Sequence, residues 1–290
     1  MSLSQVAQRC VDILEYKLQR VRYSRRPQGF SHSSEEQILR KYIDELLPQI
    51  HQRTVVDIGA GNGVRWSNSY SLFRNGWKGV GIEADQRKFA QLTRAYKTFP
   101  LAHACHSQAD PANICSLLKS LDVERDFSVL SLDIDGNDYW VLRAILAEFR
   151  PSLIVTEINE KIPPPLRFLV KYDPAFQLRR HFYGYSIAML ADLCEEYDYG
   201  ILELEYNNAF IARRDIAADR FIDAETAYSR GYRDRPGRQE RFSSNFELEV
   251  LNSLPPAQAI EFLDEFYSSE KGKYFLSLDK DALAKERLLD

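Results

Sequence analysis

Seven short apolar runs recur through the middle of the chain, separated by stretches that are compatible with helices or loops. Such runs predict buried strands, and their alternation with the intervening segments predicts a mostly parallel sheet. Asn207 and Asn208 form a turn pair between the last two runs, which favours an antiparallel hairpin at the sheet edge. The pattern predicts an α/β fold with helices on both faces of a seven-stranded sheet whose last strand is antiparallel. The runs are TVVDIG (54–59), KGVGIEA (78–84), LAHACH (101–106), FSVLSLDID (127–135), SLIVTEIN (152–159), ILELEY (201–206) and AFIARR (209–214).

The segments on either side of these runs predict helices outside the sheet. EEQILRKYIDELLPQI at 35–50 repeats apolar residues at helical spacing. We therefore expect residues 1–50 to form an N-terminal helical cap and residues 51–214 to form the core. Residues 215–290 are expected to be a C-terminal helical extension that serves as a lid or an oligomerisation element.

Finer predictions concern three of the connecting segments. SIAMLADLCEEY at 186–197 predicts a helix that packs on the sheet. Residues 159–186 predict a loop that is too long for a simple connection and forms a pocket wall, in which Arg167, Lys171, Arg179 and Arg180 are available to an anionic substrate group or to solvent. In the extension we expect a loop over 230–245 and helices over 246–252 and 257–268.

The first strand runs directly into a glycine-rich turn, in the sequence VVDIGAGNG at 55–63. Gly59, Gly61 and Gly63 leave the backbone free of side chains where a ligand approaches. Asp57 lies two residues before the first glycine, and Glu83 ends the second strand, where a ribose-binding carboxylate belongs. The arrangement predicts a Rossmann-like nucleotide site.

Two adenosine cofactors compete for such a site, NAD and S-adenosylmethionine. Dinucleotide sites use G-x-G-x-x-G over a helix N-terminus, whereas the spacing of Asp57, Gly59, Gly61 and Gly63 is D-x-G-x-G-x-G. This spacing resembles motif I of the class I S-adenosylmethionine-dependent methyltransferases. The resemblance implies S-adenosyl-L-methionine as the cofactor, with Glu83 holding its ribose.

Oxygen-bearing side chains follow the fourth and fifth strands. Asp133 and Asp135 lie two apart on an extended chain and so share one side, as do Glu157 and Asn159. We assign Asp133 to the cofactor site. Asp135, Glu157 and Asn159 could converge on a hard cation such as Mg²⁺. The alternative is local: Asp133 and Asp138 cap the following helix, while Asp135 orders the turn.

The stretch LDIDGNDYW at 132–140 is similar to the FkbM-type methyltransferases and, more distantly, to magnesium-dependent O-methyltransferases that modify macrolide and aminocoumarin sugars. In those sugar enzymes a strand-end aspartate and a later acidic pair hold the metal that binds the reacting hydroxyls. The resemblance implies that Asp135 is the first ligand and that Glu157 and Asn159 occupy the place of the pair. Glu-Ile-Asn stands here where that family has Asp-Asp. The resemblance covers residues 50 to 215.

Methyl transfer also needs help in removing a proton from the acceptor, and we assign catalytic roles to Asp135, through the cation that lowers the pKa of the substrate hydroxyl, and to His181 as a candidate base. His181 lies in the long segment after the fifth strand, where substrate loops are expected. The alternative for a lone histidine is an ordinary structural role.

Composition limits the classes of partner. A net charge of −4 gives no global attraction to nucleic acid, and the basic residues of the N-terminal segment, such as Lys17, Arg20 and Arg22, interleave with apolar ones as on a solvated helix face. Four cysteines lack C-x-x-C spacing, and no apolar run reaches membrane-spanning length. We expect a cytoplasmic protein with a small-molecule substrate, no nucleic-acid or membrane partner, and homo-oligomerisation left open.

The sequence therefore predicts a methyltransferase that acts on a small metabolite, at a hydroxyl of a sugar, polyketide or similar compound, with help from a divalent metal. N- or C-methylation and transfer of a group other than methyl remain alternatives. An NAD-dependent oxidoreductase and a non-catalytic binding module on the same fold are further alternatives.

Overall fold

A computed structural model of the protein describes residues 3–25, 29–48, 53–217 and 219–285. One sheet contains the strands β1 (Thr54–Ile58), β2 (Lys78–Glu83), β3 (Ala102–His106), β4 (Val129–Leu132), β5 (Leu153–Glu157), β7 (Tyr199–Glu205) and β8 (Asn208–Arg213). Their order is β3-β2-β1-β4-β5-β8-β7. The pairs β1·β2, β1·β4 and β2·β3 are parallel, whereas β5·β8 and β7·β8 are antiparallel. The predicted α/β fold with an antiparallel hairpin at its edge is confirmed.

Helices surround the sheet. Those of the described chain are α1 (Leu3–Ser24), α2 (Glu35–Leu46), α3 (Tyr70–Arg74), α4 (Gln86–Tyr96), α5 (Ile114–Ser120), α6 (Asp138–Glu148), α7 (Ile187–Glu196), α8 (Arg214–Ala217), α9 (Ala224–Tyr228), α10 (Arg238–Arg241), α11 (Pro256–Phe266) and α12 (Ala282–Lys285). The predicted helix over 186–197 is α7, which begins after Ser186, whose hydroxyl accepts a hydrogen bond from the Met189 amide.

The central strand β1 is apolar on both faces because both faces are covered. Val55, Val56 and Ile58 are at most 1% exposed. Gly79 of β2 lies directly against this strand, and a Cβ there would collide with the carbonyl oxygen of Val55. The position of Gly79 therefore requires glycine for close approach of the two backbones.

The chain divides into two compact units. The first contains Met1–Ala109 and Ser116–Asp133, and the second contains Asp110–Cys115 and Ile134–Asp290. The first unit holds β1 to β4 with the glycine turn, and the second holds β5, β7 and β8. The division into a cap, a core and an extension stays a prediction.

The prediction that residues 159–186 form a loop is partly wrong. This segment contains a strand, β6 (Arg167–Val170), which pairs antiparallel with β9 (Tyr274–Ser277) near the end of the described chain. The predicted loop over 230–245 is also partly wrong, because it contains α10, most of the π-helix Ser229–Arg233 and the start of the 3₁₀-helix Ser243–Asn252. The helices expected at 246–252 and 257–268 are present as this 3₁₀-helix and α11.

An apolar cluster joins the segment after β5 to the C-terminal part of the chain. Phe168 of β6 and Phe182 pack with Tyr267, and Leu248 and Leu263 belong to the same buried cluster. Residues far apart in sequence thus build one core within the second unit. The C-terminal segment is part of that core.

Within the described ranges, the structure contains no helix with the length and apolar character needed to cross a membrane. Cys105, Cys115 and Cys194 are not part of disulfide bonds among the described residues.

We expect Leu263→Ala to lower the free energy of unfolding by about 2–5 kcal/mol, because its side chain is fully buried in the apolar cluster and its removal leaves a cavity. Urea denaturation followed by circular dichroism measures the change. Phe246→Ala is the matched control, since Phe246 is 66% exposed, and we expect a change within about 0.5 kcal/mol. Equal losses in the two variants would contradict the proposed contribution of this cluster to stability.

Candidate functional site

The turn after β1 carries three glycines whose backbone lies in the left-handed region. The angle φ is +83° at Gly59, +58° at Gly61 and +74° at Gly63. Glycine adopts this conformation without the steric cost of a side chain. A Cβ on Gly63 would lie 2.6 Å from Cδ1 of Leu92, whereas a Cβ on Gly61 would meet no atom within 4 Å. The backbone at Gly61 is therefore open to an approaching molecule.

Glu83 is buried at the end of β2 and holds this turn in place. One carboxylate oxygen accepts a hydrogen bond from the Gly61 amide at 2.7 Å, and the other accepts one from the Asp85 amide at 2.7 Å. A carboxylate oxygen has two lone pairs, so each retains one acceptor position. Glu83 thus presents acceptors for paired hydroxyls beside the open backbone of the turn.

Asp57 contacts the protein itself. It is 4% exposed, and one carboxylate oxygen accepts a hydrogen bond from the hydroxyl of Ser69, the residue before α3. Burial raises the pKa of Asp57 to about 6, hydrogen bonds from Ser69 and Ser131 oppose the rise, and the charge of Glu83 adds to it. The side chain anchors the segment that follows the glycine turn.

Polar and aromatic residues that the sequence analysis did not assign lie around this turn. Asn62 accepts hydrogen bonds from the amides of Val64 and Arg65 and donates one to Gln19 of α1 at 2.9 Å. Next to the end of β2, the rings of Phe89 and His106 stack with centroids 4.8 Å apart. The place of Asn62 in a turn could be predicted from the sequence, because asparagine favours turns. Its contact with Gln19 of α1 is visible only in the tertiary structure.

The turn after β4 is held by Asp138. Its two carboxylate oxygens accept hydrogen bonds from the amides of Ile134 and Gly136, both at 2.8 Å. Burial raises the pKa of Asp138 to about 6, although these two hydrogen bonds lower it. Asp138 therefore orders the turn before α6 and does not cap that helix, whose N-cap residue is Asn137. The side chain of Asp133 is exposed, and its amide donates to the carbonyl of Ile58 at 3.0 Å.

Asp135 and Glu157 each have a carboxylate oxygen within 4.8 Å of the other. Asp135 is exposed at φ +61°, a conformation that aspartate and asparagine tolerate better than most residues. Glu157 is half-buried, and one of its oxygens accepts a hydrogen bond from the Asn207 amide group at 2.7 Å. Two carboxylates at this separation repel unless a cation or a shared proton lies between them. Their donor chemistry fits a hard cation.

Asn159 has a different set of partners. It is fully buried, and its amide nitrogen donates to the carbonyls of His181 and Tyr183, both at 3.0 Å. Its side-chain oxygen accepts from the Lys161 amide at 3.3 Å. Asn159 therefore fastens residues 181–183 to the end of β5, and its role as a metal ligand stays a prediction.

His181 packs against the C-terminal part of the second unit. Its Nε2 lies 3.0 Å from a carboxylate oxygen of Glu247, and its ring centroid is 5.8 Å from that of Phe266. Burial lowers the pKa of His181, and the hydrogen bond to Glu247 opposes this effect. Its Nδ1 is buried without a hydrogen-bond partner among the described residues.

A cavity of about 470 Å³ lies in the second unit beside the turn that carries Asp135. A Cβ on Gly136 would collide with the ring of Phe176, which lines the cavity, and the side chain of Asn137 donates to the carbonyl of Asp173, another lining residue, at 2.9 Å. The lining residues include Lys171, Tyr172, Phe176, Arg179, Glu270 and Lys273.

Only two of the four predicted anion-binding residues line this cavity, Lys171 and Arg179. Arg179 forms an ion pair with Glu270. Arg167 instead forms a two-point ion pair with Asp192, with N–O distances of 2.6 and 3.0 Å. Arg180 pairs with Glu247 at 3.0 Å.

No family model matches the chain, and no curated protein matches it. Among solved structures, it is similar to the CurJ carbon methyltransferase (10% identity, TM-score 0.44, 64% of this chain and 56% of that one covered). It is also similar to the O-methyltransferase from Bacillus cereus in complex with SAH, at 16% identity and a TM-score of 0.43, with 70% of this chain and 90% of that one covered. A third similar structure is the TehB-like SAM-dependent methyltransferase from Corynebacterium glutamicum, at 12% identity and a TM-score of 0.40, with 69% of this chain and 97% of that one covered. Likeness at this level assigns neither a family nor an activity to the chain.

We expect the stability difference between Asp57→Asn and the natural protein to depend on pH. The folded-state pKa of Asp57, about 6, lies above its ordinary value of 3.8, so the folded state binds more protons and loses stability as pH rises from about 4 to 6. The loss amounts to about 3 kcal/mol and persists above pH 6. The asparagine side chain of the variant carries no charge, so the variant lacks this loss.

Urea unfolding at pH 4.5 and pH 8 measures this effect. The stability of Asp57→Asn relative to the natural protein should rise between the two pH values. Asp122→Asn is the control, because Asp122 is exposed, and its difference should stay constant. A pH-independent difference for Asp57→Asn would contradict the raised pKa.

Proposed function

We propose that this protein is an S-adenosylmethionine-dependent methyltransferase that acts on a hydroxyl group of a small molecule. The observation that carries the proposal is the Glu83 carboxylate fastened to the open backbone at Gly61. Adenosine cofactors without a 2′-phosphate present two ribose hydroxyls, and a carboxylate with spare acceptor positions suits them. The D-x-G-x-G-x-G spacing favours S-adenosylmethionine over NAD.

Methyl transfer requires little covalent chemistry from the protein. The acceptor oxygen forms a bond to the methyl carbon, the carbon–sulfur bond breaks with its electron pair returning to sulfur, and the hydroxyl proton leaves. The protein must therefore align the acceptor and help to remove its proton. S-adenosylmethionine supplies the activated methyl group, and S-adenosylhomocysteine is the second product.

Asp135 and Glu157 are our candidates for holding and deprotonating the acceptor. Their proximity supports this role, because paired carboxylates can bind a hydroxyl directly or through a divalent cation. A cation such as Mg²⁺ at this pair would lower the pKa of the bound hydroxyl. We keep His181 as a second candidate base, since its lowered pKa favours the neutral form that accepts a proton.

The cavity beside Asp135 is our candidate for the substrate pocket. Its wall combines the aromatic rings of Tyr172 and Phe176 with the cations of Lys171 and Lys273, and Glu270 pairs with Lys273 at 3.0 Å. Such a mixture suits a ring-bearing metabolite with polar substituents. The volume of about 470 Å³ lies within the range of small-molecule sites.

Calorimetric titration with S-adenosylhomocysteine, with NADH as the comparison ligand, tests the cofactor. We expect binding of S-adenosylhomocysteine at micromolar concentration and no binding of NADH. Glu83→Gln should weaken the binding at least about tenfold, because the amide loses acceptor capacity toward the ribose. Glu124→Gln, which changes an exposed carboxylate of the same unit, should bind like the natural protein.

Selective binding of NADH would replace the proposal with a dinucleotide enzyme, and binding of neither compound would contradict a nucleotide site. Mass spectrometry of the products distinguishes methylation from transfer of another group. A thermal unfolding midpoint for Glu83→Gln shows whether the turn remains folded, and the ligand comparison on the natural protein stands independently of this variant.

We expect Asp135→Asn to lower turnover of an accepted substrate by about 10²–10⁴-fold while the affinity for S-adenosylhomocysteine is unchanged. Asparagine tolerates the left-handed backbone at residue 135, so the variant changes the charge and preserves the turn. Asp198→Asn is the matched control, because Asp198 is exposed and has a similar φ of +63°. Unchanged turnover in Asp135→Asn would rule out the carboxylate-centred mechanism.

A further inference from the structure

A second cavity, of about 360 Å³, lies in the first unit and is formed mainly by α1 and α3. Two of its residues belong to the basic N-terminal segment, which the sequence suggested to be a solvated helix face. These two residues, Lys17 and Arg20, lie one turn apart on α1. Arg74, at the end of α3, lines the same cavity. None of the residues in this cavity is assigned to the cofactor site. The described lining residues are Lys17, Arg20, Val21, Phe30, Tyr70 and Arg74.

The charge in this cavity is unbalanced. Lys17, Arg20 and Arg74 line it, and no carboxylate is among the described lining residues. In the described chain, the guanidinium of Arg74 contacts the ring of Phe30 at 5.6 Å, that of Arg20 contacts Tyr16 at 5.6 Å, and no carboxylate pairs with any of the three cations. By contrast, two cations in the cavity of the second unit pair with the same glutamate. Three cations that share one concave surface attract an anion strongly.

The buried hydroxyl of Tyr70 also favours an anionic ligand in this cavity. Tyr70 is fully buried, and its hydroxyl makes no hydrogen bond within 3.5 Å among the described residues, while the hydroxyl of Tyr16 interacts with it more weakly. Burial raises the pKa of Tyr70 well above its usual range, and the neighbouring Tyr16 adds to the rise. The positive charges of Arg20 and Arg74, which line the same cavity as Tyr70, lower this pKa. A buried hydroxyl without a short hydrogen bond is costly, and an anionic oxygen from a ligand would be a stronger acceptor than the Tyr16 hydroxyl.

We propose that this cavity binds a small organic anion that carries a phosphate group, with the phosphate held by Lys17, Arg20 and Arg74. Three cations match the double charge of a phosphate monoester, and guanidinium groups bind its oxygens with two parallel hydrogen bonds. The Tyr70 hydroxyl donates to one phosphate oxygen. Val21 and Phe30 form an apolar wall for the organic part of the ligand.

Calorimetry with phenyl phosphate as the probe, in a chloride buffer of low ionic strength, tests this site. We expect phenyl phosphate to bind more tightly than both inorganic phosphate and phenol. Arg74→Gln should weaken binding at least about tenfold, and Tyr70→Phe should weaken it by about three- to tenfold. Arg22→Gln is the matched control, because Arg22 is an exposed cation on α1 that does not line the cavity, and its affinity should be unchanged.

Equal binding of phenol would overturn the charge-based site, and equal binding of inorganic phosphate would overturn the organic ligand. Equal weakening by Arg22→Gln and Arg74→Gln would show only a general effect of net charge and would also overturn the proposal. If Arg74→Gln does not fold by circular dichroism, Lys17→Gln makes the same comparison, since the Lys17 side chain is exposed. The affinity of each variant for S-adenosylhomocysteine is also measured by calorimetry. An unchanged affinity shows that the phosphate site is separate from the cofactor site.

Discussion

The glycine turn depends on one carboxylate. Glu83 ends β2 and accepts hydrogen bonds from Gly61 in the turn and from Asp85 at the start of α4. These two bonds join the first and second strand ends, and they satisfy two backbone amides that lie outside the strands and helices. A residue without a side-chain acceptor at position 83 would release both amides at once. The candidate cofactor site therefore has its shape before any ligand binds.

Two other buried carboxylates stabilise turns at a cost. Asp57 lies in β1 and Asp138 follows β4, and burial raises the pKa of each to about 6. A carboxylate that stays charged while buried opposes folding, and the hydrogen bonds it accepts offset only part of this effect. Because both side chains hold chain segments next to candidate ligand-binding residues, we interpret their burial as the cost of a rigid, preorganised site.

The second unit has its own buried polar centre. Glu160 accepts hydrogen bonds from the hydroxyl of Tyr183 at 2.7 Å and from the amide of Asn245 at 2.8 Å, and it pairs with Lys161 at 3.2 Å. Burial works against the charged form of Glu160, but Lys161 and the hydrogen bonds outweigh it, and the pKa of Glu160 is lowered. The network joins the segment after β5 to a residue 85 positions later. It provides the polar counterpart of the apolar cluster around Phe168.

The sequence by itself determined the seven-stranded sheet, the glycine turn and the carboxylates at the strand ends. Strands and turns follow from local periodicity and from residues such as Gly61 that have few alternatives in conformation. Only the tertiary structure decided that residues 167–170 pair with residues 274–277, that Asn159 bonds to the chain, and that Lys17 and Arg20 share a cavity with Arg74. These contacts join residues distant in sequence, and local spacing carries no information about which distant side chains meet.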